Sequence, residues 1–127
     1  MASIPLKCKK PGRYSVLLDK DVEVMTRDGT TLRANVFRPD DAGKHPVVMT
    51  LGPYGKDVHM KEFQPGPWEN LVKNYPGITE NSSCEYLGFE TPDPEPWVPD
   101  GYIIVKVDSR GAGKTPGHLD VNSPRVD

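Results

Sequence analysis

The sequence predicts an α/β fold: an amino-terminal hairpin joined to two inner parallel strands of a mixed sheet. Three stretches predict it. Residues 21–36 alternate apolar and polar side chains about a glycine turn, residues 47–51 are almost continuously apolar, and residues 102–107 form an apolar, β-branched run that reaches Asp108 and two glycines. Alternation marks strands with one buried face, whereas unbroken apolar runs suit strands covered on both faces of a parallel sheet. A segment with a helical stripe separates the two runs, as a parallel crossover requires.

The totals bound what such a sheet can belong to. At 127 residues the chain suffices for one domain and is too short for two good cores. Its 14 prolines, 12 glycines and 35% hydrophobic content predict long loops. Sixteen basic and eighteen acidic side chains leave a net charge of −2, and no segment gathers enough lysine or arginine to track a phosphate backbone, so nucleic acid is not an expected partner. Cys8 and Cys84 lack both CxxC spacing and a histidine pair, which predicts reduced thiols, no metal and no cofactor. No apolar run approaches the ~18 residues of a membrane span, and the first twenty residues hold no signal-like stretch, so a soluble cytoplasmic protein is expected.

Taken in order, residues 1–20 mix basic residues with Pro5, Pro11 and Gly12 without a period and read as a loosely attached arm. The domain proper is expected over 21–127. Val22 and Val24 alternate with polar neighbours, Arg27-Asp28-Gly29-Thr30 supplies a turn, and Leu32, Ala34 and Val36 alternate again, which is a β-hairpin. Pro39-Asp40-Asp41-Ala42-Gly43 turns the chain into the strand at 47–51, and Gly52-Pro53-Tyr54-Gly55-Lys56-Asp57 ends that strand abruptly. Seven prolines fall between Lys56 and Gly101. One helix is predicted there, with Gly66 as cap, Pro67 at the first position, a stripe of Trp68, Leu71, Val72 and Tyr75, and a stop at Pro76. Residues 91–99 are too rich in proline for a helix and should run extended over the surface. After the strand at 102–107 and its glycine turn, Ser123-Pro124 reads as the cap and first residue of a helix that Asp127 cuts short, which marks a truncation point.

Two chemistries compete for the turn after Asp108. Gly113-Lys114-Thr115 ends like a phosphate-binding loop, but Asp108 stands where that pattern needs its first glycine, and Pro116-Gly117 disfavours the helix that should follow. The other reading is the strand-end turn of a hydrolase, in which Lys114 and Thr115 are incidental. Ser109 is not a nucleophile on this reading, because Asp-Ser-Arg-Gly lacks the glycine two residues earlier that a G-x-S-x-G elbow requires.

Arg27-Asp28-Gly29-Thr30 with Leu32, Pro46-Val47-Val48 leading to Gly52-Pro53-Tyr54-Gly55-Lys56, and Trp97-Val98-Pro99-Asp100-Gly101-Tyr102 leading to Asp108-Ser109-Arg110-Gly111-Ala112-Gly113 occur in a fixed order. As a co-linear set over about residues 20–127 they resemble the amino-terminal region of the cocaine-esterase and Xaa-Pro dipeptidyl-peptidase-like family, the CocE/NonD group of α/β hydrolases. The resemblance implies an incomplete α/β-hydrolase fold and a serine hydrolase acting on a small-molecule ester or amide. It implies Tyr54 as the donor to the tetrahedral oxyanion, the kind of hydrogen bond that strengthens as charge develops in the transition state. It makes Asp108 and Arg110, with Gly111 and Gly113, structural: the carboxylate can take backbone N–H groups of the turn and the arginine can tie neighbouring loops. Lys56 and Asp57 read as a solvated surface pair.

The family's triad runs serine, acid, histidine, and its serine follows the strand after the one at 102–107. This sequence offers no elbow serine, and His45, His59 and His118 lie on turns without a serine partner; His59 with Glu62 has ligand spacing, but two groups do not make a zinc site. The expectation is an oxyanion arm without a nucleophile, inactive alone. A truncated non-catalytic remnant is the alternative, with the nucleotide loop behind it. The strand at 47–51 should also leave an open edge, so that the chain alone associates or aggregates.

Overall fold

A computed structural model describes residues 2–120. Five strands, β1 (Ile4–Leu6), β2 (Val16–Met25), β3 (Thr31–Pro39), β4 (Val47–Gly52) and β5 (Ile103–Asp108), form one open sheet in the order β1-β2-β3-β5-β4. The β1/β2, β2/β3 and β3/β5 pairs are antiparallel and β4/β5 is parallel, with Val47 opposite Ile103 and Gly52 opposite Asp108. The mixed sheet expected from the sequence is present.

The hairpin is longer than its alternation suggested. β2 starts at Val16, and Ile4–Leu6 pair with Leu18–Val16, so the stretch expected as a loose arm over 1–20 is part of the sheet from Ile4 onward. The signal was hidden by a bulge between Asp19 and Val22 that puts Asp21 at φ 56° and reverses the side-chain phase. Val16 and Leu18 therefore pack with Phe37, Val98 and Ile104 on one face. Val22 and Val24 pair with Ala34 and Leu32, which form the second cluster with Val107 on the other face.

β4 departs from one expectation and meets another. Its apolar run predicted cover on both faces, but among the described residues β4 is the sheet's edge, and Val47 and Met49 are 56% and 64% exposed. The open edge is there, with one row of backbone groups unpaired within the sheet.

Four short helices fill the crossover: α1 (Met60–Phe63), α2 (Pro65–Asn74), α3 (Gly77–Asn81) and α4 (Pro94–Trp97). The predicted helix is α2, but it starts at Pro65, two residues before the predicted first position, because either proline satisfies the first turn. Its stripe is only half-buried and Tyr75, beyond its end, is 63% exposed. Residues 91–99 are a clear correction. Asp93 caps α4 by accepting the Glu95 N–H, Pro94 takes the first helical position, and the chain continues as a 3₁₀ turn over Val98–Asp100. Pro94, Glu95, Val98 and Pro99 are buried there, and the Glu95 carboxylate accepts the Lys9 N–H at 2.9 Å and the Ser83 N–H at 3.1 Å. Tertiary contacts outweigh the extended tendency of the prolines. The helix start expected at Ser123-Pro124 lies outside the described residues.

Candidate active site

β4 and β5 run parallel, so their carboxyl ends deliver two turns to the same end of the sheet: residues 53–57 and residues 109–117. Asp108, the last residue of β5, is wholly buried between them. Its Oδ1 accepts the Lys56 N–H at 2.5 Å and its Oδ2 accepts the Lys114 N–H at 2.9 Å, so one carboxylate holds both loops by their backbones. Gly113 stands at φ 50° with no room for a side chain, since a Cβ there would fall on the Asp108 carboxylate. Gly111, at φ 75°, leaves no space either, because a Cβ would meet the backbone of His118 and Leu119. Arg110 reaches back to the hairpin turn, with its guanidinium 3.1 Å from Asp28 Oδ2.

Lys56 is not a solvated surface residue. Its side chain is 0% exposed, with Nζ 2.6 Å from Asp21 Oδ1, 2.8 Å from Asp57 Oδ2 and 3.5 Å from Asp108 Oδ2. Burial works against its charge, yet the bonds to Asp21 and Asp57 outweigh it and hold the ammonium above its ordinary value. Burial opposes ionisation of Asp21 too, but the ammonium groups of Lys114 and Lys56 bring it down to about 2. Asn35 on β3 completes the knot, donating to Asp57 Oδ1 at 2.9 Å and accepting the Asp21 N–H at 3.2 Å. The bulge thus aims Asp21 at both loops, which no local pattern announces.

This arrangement disposes of the phosphate loop. The Thr115 hydroxyl donates to Asp108 O at 2.8 Å and accepts the Arg33 N–H at 2.9 Å, so it bridges β5 and β3 and is not free for a cation. Lys114 is paired with Asp21 at 2.8 Å. Neither residue is incidental: both fasten the turn to the hairpin.

Tyr54 sits on the other loop and is treated differently. Its ring packs tilted against Phe63 at 4.9 Å and edge-on against Phe89 at 5.4 Å, and those two lie tilted against each other at 5.4 Å. The residue is 37% exposed, and its hydroxyl donates to Glu90 Oε2 at 3.3 Å. The Glu90 carboxylate pushes the phenol above its ordinary value, so it is an O–H donor at neutral pH. Beside it a small cavity of about 30 Å³ is lined mainly by apolar surface from Gly52, Val58, Phe63, Gly88 and Phe89, with Lys106 at one side.

The remaining polar candidates have other roles. Ser109 is buried and donates to Gly52 O at 3.1 Å, tying β5 to β4. His45 pairs with Asp41 at 2.8 Å. His59 caps α1 through Nδ1, which accepts the Lys61 N–H at 3.0 Å, and its Nε2 meets Cys84 O at 2.6 Å, so the ring is the Nε2–H tautomer. Cys8 and Cys84 are free. Lys106 went unremarked in the sequence, though a lone lysine inside Ile-Ile-Val-Lys-Val was a signal. It is fully buried on β5, donates to Tyr86 O at 2.5 Å, and burial pushes its ammonium down to about 8.

The sheet and its two turns have counterparts in known hydrolases. A CocE/NonD family hydrolase from Staphylococcus aureus matches with a TM-score of 0.71 and 35% identity over 94% of this chain, which is 20% of that protein. An α-amino acid ester hydrolase matches at a TM-score of 0.54 and 18% identity over 94% of this chain and 16% of that one, a likeness of fold alone. Cocaine esterase from Rhodococcus sp. (strain MB1 Bresler) is 30% identical over 117 residues, 91% of this chain and 15% of that enzyme. Residues 28–126 match the X-Pro dipeptidyl-peptidase (S15) family, and the chain belongs to it. It is the amino-terminal region of a CocE/NonD-type hydrolase and spans a fifth or less of the length of these relatives.

Proposed function

We propose that the chain is the amino-terminal part of a serine hydrolase of α/β-hydrolase architecture, with Tyr54 as the oxyanion donor. The observation that carries this is the placement of the Tyr54 hydroxyl at the carboxyl end of β4, on a loop pinned by the buried Asp108, in a chain of this family. A protonated phenol there can direct one hydrogen bond at charge that appears only in the transition state. Asp108, Arg110, Gly111 and Gly113 hold the frame and touch no substrate. Serine, acid and histidine lie beyond Asp127, on elements that add to the open edge of β4. The substrates are small esters or amides, Xaa-Pro amides included, and residues 1–127 alone are catalytically silent. No helix among the described residues is long and apolar enough to cross a membrane, and two free cysteines fit a reducing compartment such as the cytoplasm.

A fluorophosphonate probe and one variant test this in the complete polypeptide. Labelling should map to a serine beyond Asp127, and Tyr54→Phe should lower kcat about 10²–10³-fold with little change in KM. Labelling of a serine within residues 1–127, or unchanged turnover in Tyr54→Phe, would overturn the assignment.

A further inference from the structure

The resting contact of Tyr54 is at odds with its proposed work, and the discrepancy identifies a further residue. A phenol has one proton to donate. Here that proton is directed at Glu90, 3.3 Å away, so the hydroxyl cannot at the same time serve an oxyanion. An ionised carboxylate so close to a developing oxyanion also repels it.

Among the described residues no lysine or arginine pairs with Glu90. The two cations that line the adjoining cavity are committed, Lys56 to Asp21 and Asp57 and Lys106 to the Tyr86 carbonyl. Glu90 is exposed, and its backbone is at φ 55°, a left-handed conformation that disfavours any residue with a Cβ. Among the described non-glycine residues outside the hairpin bulge, Cys84 alone shares that strain, and it begins the same loop. Strain of this kind persists where the surroundings over-determine a conformation. The surroundings are visible: Lys106 holds the loop at Tyr86 O, Met60 N–H bonds to Leu87 O, and Phe89 is wedged against Tyr54 and Phe63. The loop is thus built to present the Glu90 carboxylate to the Tyr54 hydroxyl.

We propose that Glu90 is a latch on Tyr54: it holds the phenol proton in the resting protein, and Tyr54 becomes an oxyanion donor only when substrate opens that contact. Glu90 is a positioning residue, acting through Tyr54 and not on the substrate. The inference rests on the oxyanion role given above to Tyr54.

The test uses the complete polypeptide with ¹³C-labelled tyrosine ring carbons, the Tyr54 signal being assigned by its loss in Tyr54→Phe. In Glu90→Gln the phenol of Tyr54 should titrate at lower pH than in the parent. The same variant should raise kcat/KM on a neutral aryl ester on the order of fivefold, about the effect of one weak charged contact. That gain should vanish when Glu90→Gln is placed on a Tyr54→Phe background, whereas a merely structural effect would survive there. Glu90→Gly relieves the left-handed strain as well as removing the charge; a faster Glu90→Gly with an unchanged Glu90→Gln would show backbone strain, not the latch, and would overturn the proposal. So would an unmoved Tyr54 titration, or a slower Glu90→Gln. Loss of the oxyanion reading shows separately, as full turnover in Tyr54→Phe with the titration shift still present.

Discussion

The turns that follow β4 and β5 leave the same end of the sheet, share one carboxylate, and are held to opposite standards. In the turn after β5 every named polar group is tied to the scaffold: Asp108 takes two backbone N–H groups, Thr115 joins two strands, and Arg110 and the part-exposed Lys114 reach the hairpin. In the turn after β4 the backbone is equally fixed, yet Tyr54 is left half-exposed with one long hydrogen bond. A residue whose hydrogen bonds are all spent on the scaffold has none to offer a substrate. The difference is the one that the proposed roles, frame for the turn after β5 and oxyanion donor for Tyr54, require.

That comparison can be broken by denaturation and kinetics of single variants in the complete polypeptide. The largest stability loss is expected for Asp108→Ala, which leaves Lys56 short of one counter-charge and two backbone N–H groups without their acceptor; roughly 3–5 kcal/mol should be lost, read from the urea midpoint. Next comes Lys106. Its folded value of about 8 lies below an unfolded value near 10.4, so the unfolded chain binds more protons between those limits. Stability should therefore rise by roughly 3 kcal/mol as pH climbs from 8 to above 10, and Lys106→Met should flatten that rise. Gly113→Ala forces a methyl onto Asp108 at positive φ and should cost at least about 2 kcal/mol. Tyr54→Phe is the counterpart at the small end: the midpoint should not move, while turnover falls as described above. A Tyr54 variant that unfolds the protein, or an Asp108 variant that does not, would erase the distinction between the two turns.

The edge of β4 gives a further check on the unaccompanied chain. With Val47 and Met49 exposed beside unpaired backbone, residues 1–127 alone should self-associate, seen by sedimentation. A monomer with a single cooperative melt would show that the edge needs no cover.

Some of this was legible because the information is local. A glycine between alternating strands, two unbroken apolar runs and a crossover helix are short-range patterns, and they were enough for a mixed sheet with β4 parallel to β5. The order of motifs around Tyr54 and Asp108 was likewise readable, since a family resemblance is written along the chain. Other features misled because their causes are distant in sequence. Pro94 and Pro96 opposed regular structure until Asp93 capped them and Lys9, Ser82 and Ser83 gathered on Glu95. Lys56 and Asp57 looked like a surface pair because nothing nearby says that a bulge 35 residues earlier will bury the lysine against Asp21.

The sequence by itself therefore determined the hairpin, the two parallel strands and the family, all of which follow from backbone propensity, side-chain period and motif order, but not β1 or the first half of β2. Only the tertiary structure decided which charges are buried, which polar groups of the two adjoining turns are tied to the scaffold, and that the Tyr54 hydroxyl donates to Glu90. Those are matters of electrostatics between groups brought together across the fold, where a few ångströms of position change the strength of an interaction and no spacing along the chain encodes the distance.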